Sequence, residues 1–87
     1  MAWRIEFDPR TEKELKRLDL PMRRRIVRFL AERVVPLKDP RSLGGPLHGP
    51  ILGKFWKYRV GDYRLICDIQ DRVITIVVLH VAHRRDV

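Results

Sequence analysis

The run Trp56-Lys57-Tyr58-Arg59-Val60-Gly61-Asp62-Tyr63-Arg64-Leu65-Ile66 decides the fold. Apolar or aromatic residues alternate with basic ones up to Val60, and again from Tyr63 to Leu65. That is the period of a half-buried strand. Gly61-Asp62 sits between the two runs, with glycine at the first central position, as a type II′ turn prefers. A two-residue turn leaves one register. Val60 then opposes Tyr63, Arg59 opposes Arg64, Tyr58 opposes Leu65, Lys57 opposes Ile66 and Trp56 opposes Cys67. Side chains alternate between the faces of a sheet. Trp56, Tyr58, Val60, Tyr63, Leu65 and Cys67 therefore share an apolar face that should pack on helices. Lys57, Arg59 and Arg64 share the other.

The second face breaks a local rule. Like charges directly opposite in an antiparallel pair cost roughly 0.2–1 kcal/mol. Arg59 across from Arg64, with Lys57 beside them, is such an arrangement. Local rules are broken mostly at functional sites. Three cations on one face suit the phosphates of a nucleic-acid strand; the plainer alternative is a solvated basic face, partly relieved by Asp68.

Downstream, residues 72–82 are apolar on both parities and read as a central strand covered on both sides. Residues 54–60 and 62–69 are the hairpin strands. Upstream, residues 36–53 hold four prolines and four glycines and read as a long irregular crossover. His48 lies there, and a lone loop histidine is most simply solvated. Before the crossover, apolar residues at 22, 26, 29, 30 and 34 follow helical spacing. This predicts a helix from Pro21 to about Val35, ended by Pro36. Asp8-Pro9 marks an earlier helix start, since Asp caps backbone N–H groups and Pro tolerates the first helical position. That helix spans 9–18 and is highly charged, with Leu15 and Leu18 among its apolar anchors. Asp19-Leu20-Pro21 separates the two helices, so they form a hairpin. Leu15, Leu18 and Met22 are most simply core, with partner docking as the alternative. Residues 3–7 alternate like a first strand.

The chain has 87 residues, the size of one domain over 1–87. It carries 19 Lys+Arg against 11 Asp+Glu, a formal charge of +8. Such an excess draws in polyanions: nucleic acid, an acidic protein or an anionic membrane surface. Only five of the cations are lysine, and the arginine fork suits phosphate. Cys67 is alone, so no internal disulfide forms, as fits a reducing compartment. One cysteine with His48, His80 and His83 at these spacings makes no metal cluster. No signal-peptide run and no span of eighteen apolar residues is present, so the expected location is the cytoplasm, with no membrane partner. Histidine suits proton transfer near neutral pH. His80 sits among apolar residues and reads as structural. His83 leaves the apolar run and is the better chemical candidate.

Helical hairpin, Pro/Gly-rich crossover, the Lys57–Leu65 run and His83-Arg84-Arg85-Asp86-Val87 together resemble the RelE/ParE superfamily of toxins, in its RelE branch. The resemblance covers nearly the whole chain. It implies an α+β fold of order β-α-α-β-β-β, a helical hairpin on a small, mainly antiparallel, microbial-RNase-like sheet. It also implies a type II toxin–antitoxin toxin that enters the ribosomal A site and cuts the mRNA there. The ribose 2′-OH attacks the neighbouring phosphate, with no metal or cofactor, and a cognate antitoxin silences the toxin. By motif position Lys57 matches a catalytic lysine and Arg64 a phosphate-binding arginine. Arg84 matches the late arginine that contacts phosphate or leaving group. Arg59 and Arg85 extend the phosphate-binding set.

The chemistry agrees with this assignment. Transesterification builds negative charge on phosphate oxygens, which fixed cations stabilise. Crowded cations disfavour the charged form of a lysine, which suits Lys57 to a general-base role. Arginine is a poor acid, so His83 is the expected proton donor, independently of the resemblance. Two positions depart from the pattern: Phe55 stands where some relatives carry a second lysine, and no tyrosine follows Val87. The competing readings are a ParE-like toxin that inhibits DNA gyrase without cutting RNA, and a basic nucleic-acid-binding module without catalysis.

Overall fold

The computed structural model describes residues 2–86, Asp86 through its backbone alone; the motif's last residue, Val87, lies outside the described residues. Strand β1 (Arg4–Phe7) leads into helix α1 (Pro9–Lys16), and helix α2 (Leu20–Phe29) follows. Asp8 caps α1 by accepting the Arg10 backbone N–H at 2.9 Å, and Asp19 caps α2 by accepting that of Met22 at 3.3 Å. Each cap satisfies a donor that the helix itself leaves free. The second helix does not stop at Phe29. It runs on as a π-helical turn over Leu30–Val34, where the Val35 N–H donates to the Leu30 carbonyl at 2.9 Å.

Three further strands were expected and four are present. The crossover contains a two-residue strand β2 (Gly45–Pro46), followed by β3 (Trp56–Val60), β4 (Tyr63–Gln70) and β5 (Thr75–His83). The sheet order is β1-β5-β4-β3-β2. Only β1 and β5 run parallel. The crossover is tied to β3 by side chains: the Trp56 indole N–H donates to the Leu43 carbonyl at 2.7 Å, and the Tyr58 hydroxyl donates to the Pro40 carbonyl at 2.6 Å. Gly44 has φ 80 and lies so close to β3 that a Cβ there would stand 2.3 Å from the Lys57 carbonyl oxygen.

The β3–β4 register is the one that the two-residue turn dictates, residue for residue. Gly61 has φ 59 while Asp62 is not in the left-handed region, which is the II′ pattern. Tyr58, Leu65, Cys67, Ile76 and Val78 from the sheet and Ile26, Leu30 and Val34 from the helical layer are all but inaccessible. Burying each aliphatic side chain of this set contributes about 1.5–3 kcal/mol. Leu15 is buried with them, and Leu18 and Met22 pack against this cluster. The Phe29 ring meets Tyr58 edge-on at 6.1 Å.

Two expectations about the last strand need correction. Residues 71–73 are a 3-10 turn and Ile74 is left-handed at φ 50, so β5 begins at Thr75. The far face of β5 is also only partly covered. Val77 and Leu79 there are only half-buried.

Candidate RNA-binding and cleavage face

The open face of the sheet is built by cross-strand rows. One row holds Arg59, Arg64 and Ala82; the next holds Lys57, Ile66 and His80. Arg59 is exposed, and Lys57 and Arg64 are half-buried. None of the three makes an ion pair among the described residues. Asp68, the acid expected to relieve them, instead accepts from the Gln70 side-chain amide at 3.1 Å. Arg64 carries the most telling atom. Its Nη1 is sealed from solvent and has no hydrogen-bond partner. A buried donor left unpaired costs about 1–3 kcal/mol, more on a charged group.

Arg84 reaches this region by another route. Its backbone N–H donates to the Asp62 carbonyl at 2.7 Å, and its Nε lies 3.6 Å from Asp62 Oδ1, both side chains being more than half exposed. The start of the C-terminal turn is thus pinned to the hairpin bend, beside the Arg59–Arg64 row. An exposed pair at that distance holds the guanidinium loosely. Arg85 is exposed, and its N–H donates to His83 Nδ1 at 3.2 Å.

His83 does not join the cations. It pairs with Tyr63, a helix-side position, and the two rings meet edge-on at 5.2 Å. The cause is a bulge. Cys67 pairs with Val78 and Ile66 with His80, leaving Leu79 as an extra residue. One extra residue inverts the face of everything beyond it. Without the bulge His83 would share the Arg64 face. With it, Val81 turns inward and is buried, while His80 takes the open-face register.

His80 is held by a group that the sequence did not single out. Glu14 of α1 accepts the Val81 backbone N–H through Oε1 at 2.9 Å and meets His80 Nδ1 through Oε2 at 2.5 Å. The short β1 leaves this edge of β5 uncovered, and Thr11 and Glu14 of α1 fill the gap. The Thr11 hydroxyl donates to the Val78 carbonyl at 2.7 Å. His48 is exposed in the crossover, as a solvated loop residue would be. Burial pushes the Cys67 thiol up to about 12 and raises the Tyr58 hydroxyl, so neither is a chemical group of the open face.

Fold and face together define a small α+β protein that presents a fixed array of cations on the uncovered side of its sheet. A family model described as the ParE toxin of the type II toxin–antitoxin system parDE matches residues 5–87. Toxin RelG of Mycobacterium tuberculosis is 30% identical over 87 residues, covering 100% of this chain and 97% of that protein. The toxin–antitoxin complex RelBE2 of the same organism contains a chain of TM-score 0.84 and 27% identity, covering 97% of this chain and 93% of that one. A double-mutant form of E. coli toxin RelE in the free state gives TM-score 0.78 and 26% identity, with coverages of 99% and 87%. The chain therefore belongs to the ParE toxin family of type II toxin–antitoxin systems, within the RelE/ParE superfamily.

Proposed function

We propose that this toxin is a ribosome-dependent mRNA endoribonuclease acting in the cytoplasm. The observation that carries the reading is the cation row itself: a half-buried Arg64 stands directly across from the exposed Arg59 and close to Lys57, and none of the three has an ion-pair partner among the described residues. The like-charge strain of such a row is relieved when a phosphate binds to its accessible side. In the reaction the ribose 2′ oxygen bonds to phosphorus, the bond to the 5′ oxygen breaks, and a cyclic phosphate results. Lys57 takes the 2′-OH proton. Arg59, Arg64, Arg84 and Arg85 contact phosphate oxygens, as preorganised cations do best in a partly water-excluded site. Water returns a proton to the leaving 5′ oxygen, because His83 stands on the other face.

Solved relatives from M. tuberculosis and E. coli are toxin–antitoxin complexes. By that likeness the chain takes a cognate antitoxin, acidic where it meets the basic surfaces. The test is translation on purified ribosomes with mapped mRNA ends, comparing the wild type with Arg64→Ala and Lys57→Ala. Cleavage in the A-site codon that both variants lose supports the reading. Intact mRNA together with inhibited gyrase supercoiling establishes instead the ParE-type activity that the family model's name suggests.

A further inference from the structure

A second cationic site lies around the corner from the open face. Between α2 and the outer edge of β3 runs a cleft of about 440 Å³, bordered by Arg25, Arg33, Phe29, Tyr58, Arg59 and Gly61 among others. Its charged lining residues are all arginine. None of Arg25, Arg33 and Arg59 makes an ion pair among the described residues. Arg25 reaches the hairpin: a Cβ at Gly61 would stand 3.0 Å from its Nη1. Arg25 lies in α2 and Arg33 eight residues on, in the π-helical turn that continues it. Arg59 borders the cleft while its strand position belongs to the open face.

We propose that this cleft binds the phosphodiester backbone of single-stranded RNA, on a stretch contiguous with that held by Lys57, Arg59 and Arg64; the proposal rests on the RNA-cleavage reading above. Arginine forks match phosphate oxygens, and Arg59 is the corner residue that makes the two cationic surfaces one path. An acidic polypeptide added as a strand is the competing occupant, and the edge is too short for it. β2 already pairs with Trp56 and Lys57, and the turn begins at Gly61. That leaves Tyr58 to Val60, of which only Arg59 directs its backbone groups outward.

The experiment is binding of a fluorescent, fully 2′-deoxy-substituted, uncleavable 20-nucleotide strand to the whole protein across a salt series. Polyglutamate binding and ribosomal mRNA cleavage are measured in parallel. For single strands the slope of log affinity against log salt is about −0.7 per phosphate contact. Arg25→Gln/Arg33→Gln is expected to make the slope shallower by about 1.4. Arg25→Lys/Arg33→Lys keeps the slope, and melting curves confirm that both variants fold. An unchanged slope in the Gln pair, with the wild type still cutting mRNA, overturns the cleft and leaves the cleavage reading standing. Loss of polyglutamate binding with an unchanged nucleic-acid slope assigns the cleft to a protein and overturns the proposal. A wild type that neither binds the strand nor cuts mRNA overturns both.

Discussion

Arg59 stands directly across from Arg64 in the β3–β4 ladder, with no carboxylate partner for either among the described residues. By the like-charge rule the pair lowers hairpin stability, and under the function proposed above it does so in return for a phosphate-binding surface. Arg59→Thr removes the repulsion and places a good strand former in its stead. Stability is expected to rise by about 0.2–1 kcal/mol, a few degrees in Tm for a domain of this size. mRNA cleavage is expected to fall at the same time. Thermal melting and the ribosomal assay check both directions; a variant that loses stability as well as activity contradicts the account.

Tyr58 fastens the crossover to the sheet. Its hydroxyl donates to the Pro40 carbonyl at 2.6 Å, and both residues are buried. Tyr58→Phe keeps the ring against Phe29 and strands the carbonyl. The expected loss is about 1–3 kcal/mol, the desolvation penalty of an unpaired buried acceptor. Urea denaturation measures it, with an unchanged slope showing that the fold is kept.

The crossover has a further fastening, and this one depends on pH. Arg41 donates to Asp71 through Nη1 at 3.0 Å and Nη2 at 2.9 Å, joining it to the β4–β5 turn. The hydrogen bonds from Arg41 hold the Asp71 carboxyl below its ordinary value. A depressed carboxyl stabilises the fold above its unfolded value, and that contribution fades as pH falls through the folded one. Both side chains are well exposed, so screening keeps the effect under about 1 kcal/mol. Arg41→Ala is expected to be slightly less stable than wild type at pH 7 and to converge with it as pH falls through the depressed folded value of the Asp71 carboxyl. Melting curves across that range provide the test.

Cys67 reports on opening of the core. It is fully buried on β4 with its thiol pushed up to about 12 by desolvation. At pH 8 its thiolate fraction is roughly a thousandfold below that of an unfolded cysteine near 8.5. Alkylation by iodoacetamide is expected to be slow in the native protein and to accelerate with urea along the unfolding curve. Rapid native alkylation would show that β4 is accessible from the helix side.

How far the sequence reveals this molecule follows from where its constraints lie. Gly61-Asp62 permits one hairpin register, so the placement of Lys57, Arg59 and Arg64 on one face was legible. Asp8 carries its capping chemistry in its side chain, so the start of α1 was legible; Asp19 does the same for α2, although the break at Asp19-Leu20-Pro21 suggested a start at Pro21. β2 was not, because Gly45-Pro46 has no strand propensity and pairs only where the Trp56 indole and the Phe55 carbonyl anchor the crossover. Ile74 reads as strand, yet the β4–β5 connection imposes a left-handed backbone on it. The arginines of α2 and of the π-helical turn after it look like a solvated helix face, and only the approach of the hairpin turns Arg25 and Arg33 into the walls of a cleft. The bulge at Leu79 leaves no trace, since residues 74–79 are apolar on both parities and nothing in them fixes the phase.

That hidden phase yields the sharpest prediction about the chemistry. Sequence reasoning makes His83 the proton donor, whereas the bulge sets it against Tyr63 on the helix side, with Nδ1 accepting from the Arg85 N–H. A group on that side does not reach a phosphate bound between Arg59 and Arg64. His83→Gln is expected to keep the cleavage rate within about threefold, well short of the 10²–10⁴-fold loss that follows removal of a general acid or base. Lys57→Ala is expected to lose at least about a hundredfold. A pH–rate profile of both variants separates the roles, since a true donor at His83 would take the acidic limb of the profile with it. Comparable losses in the two variants would mean that the C-terminal turn rearranges on the ribosome and brings His83 across the sheet edge.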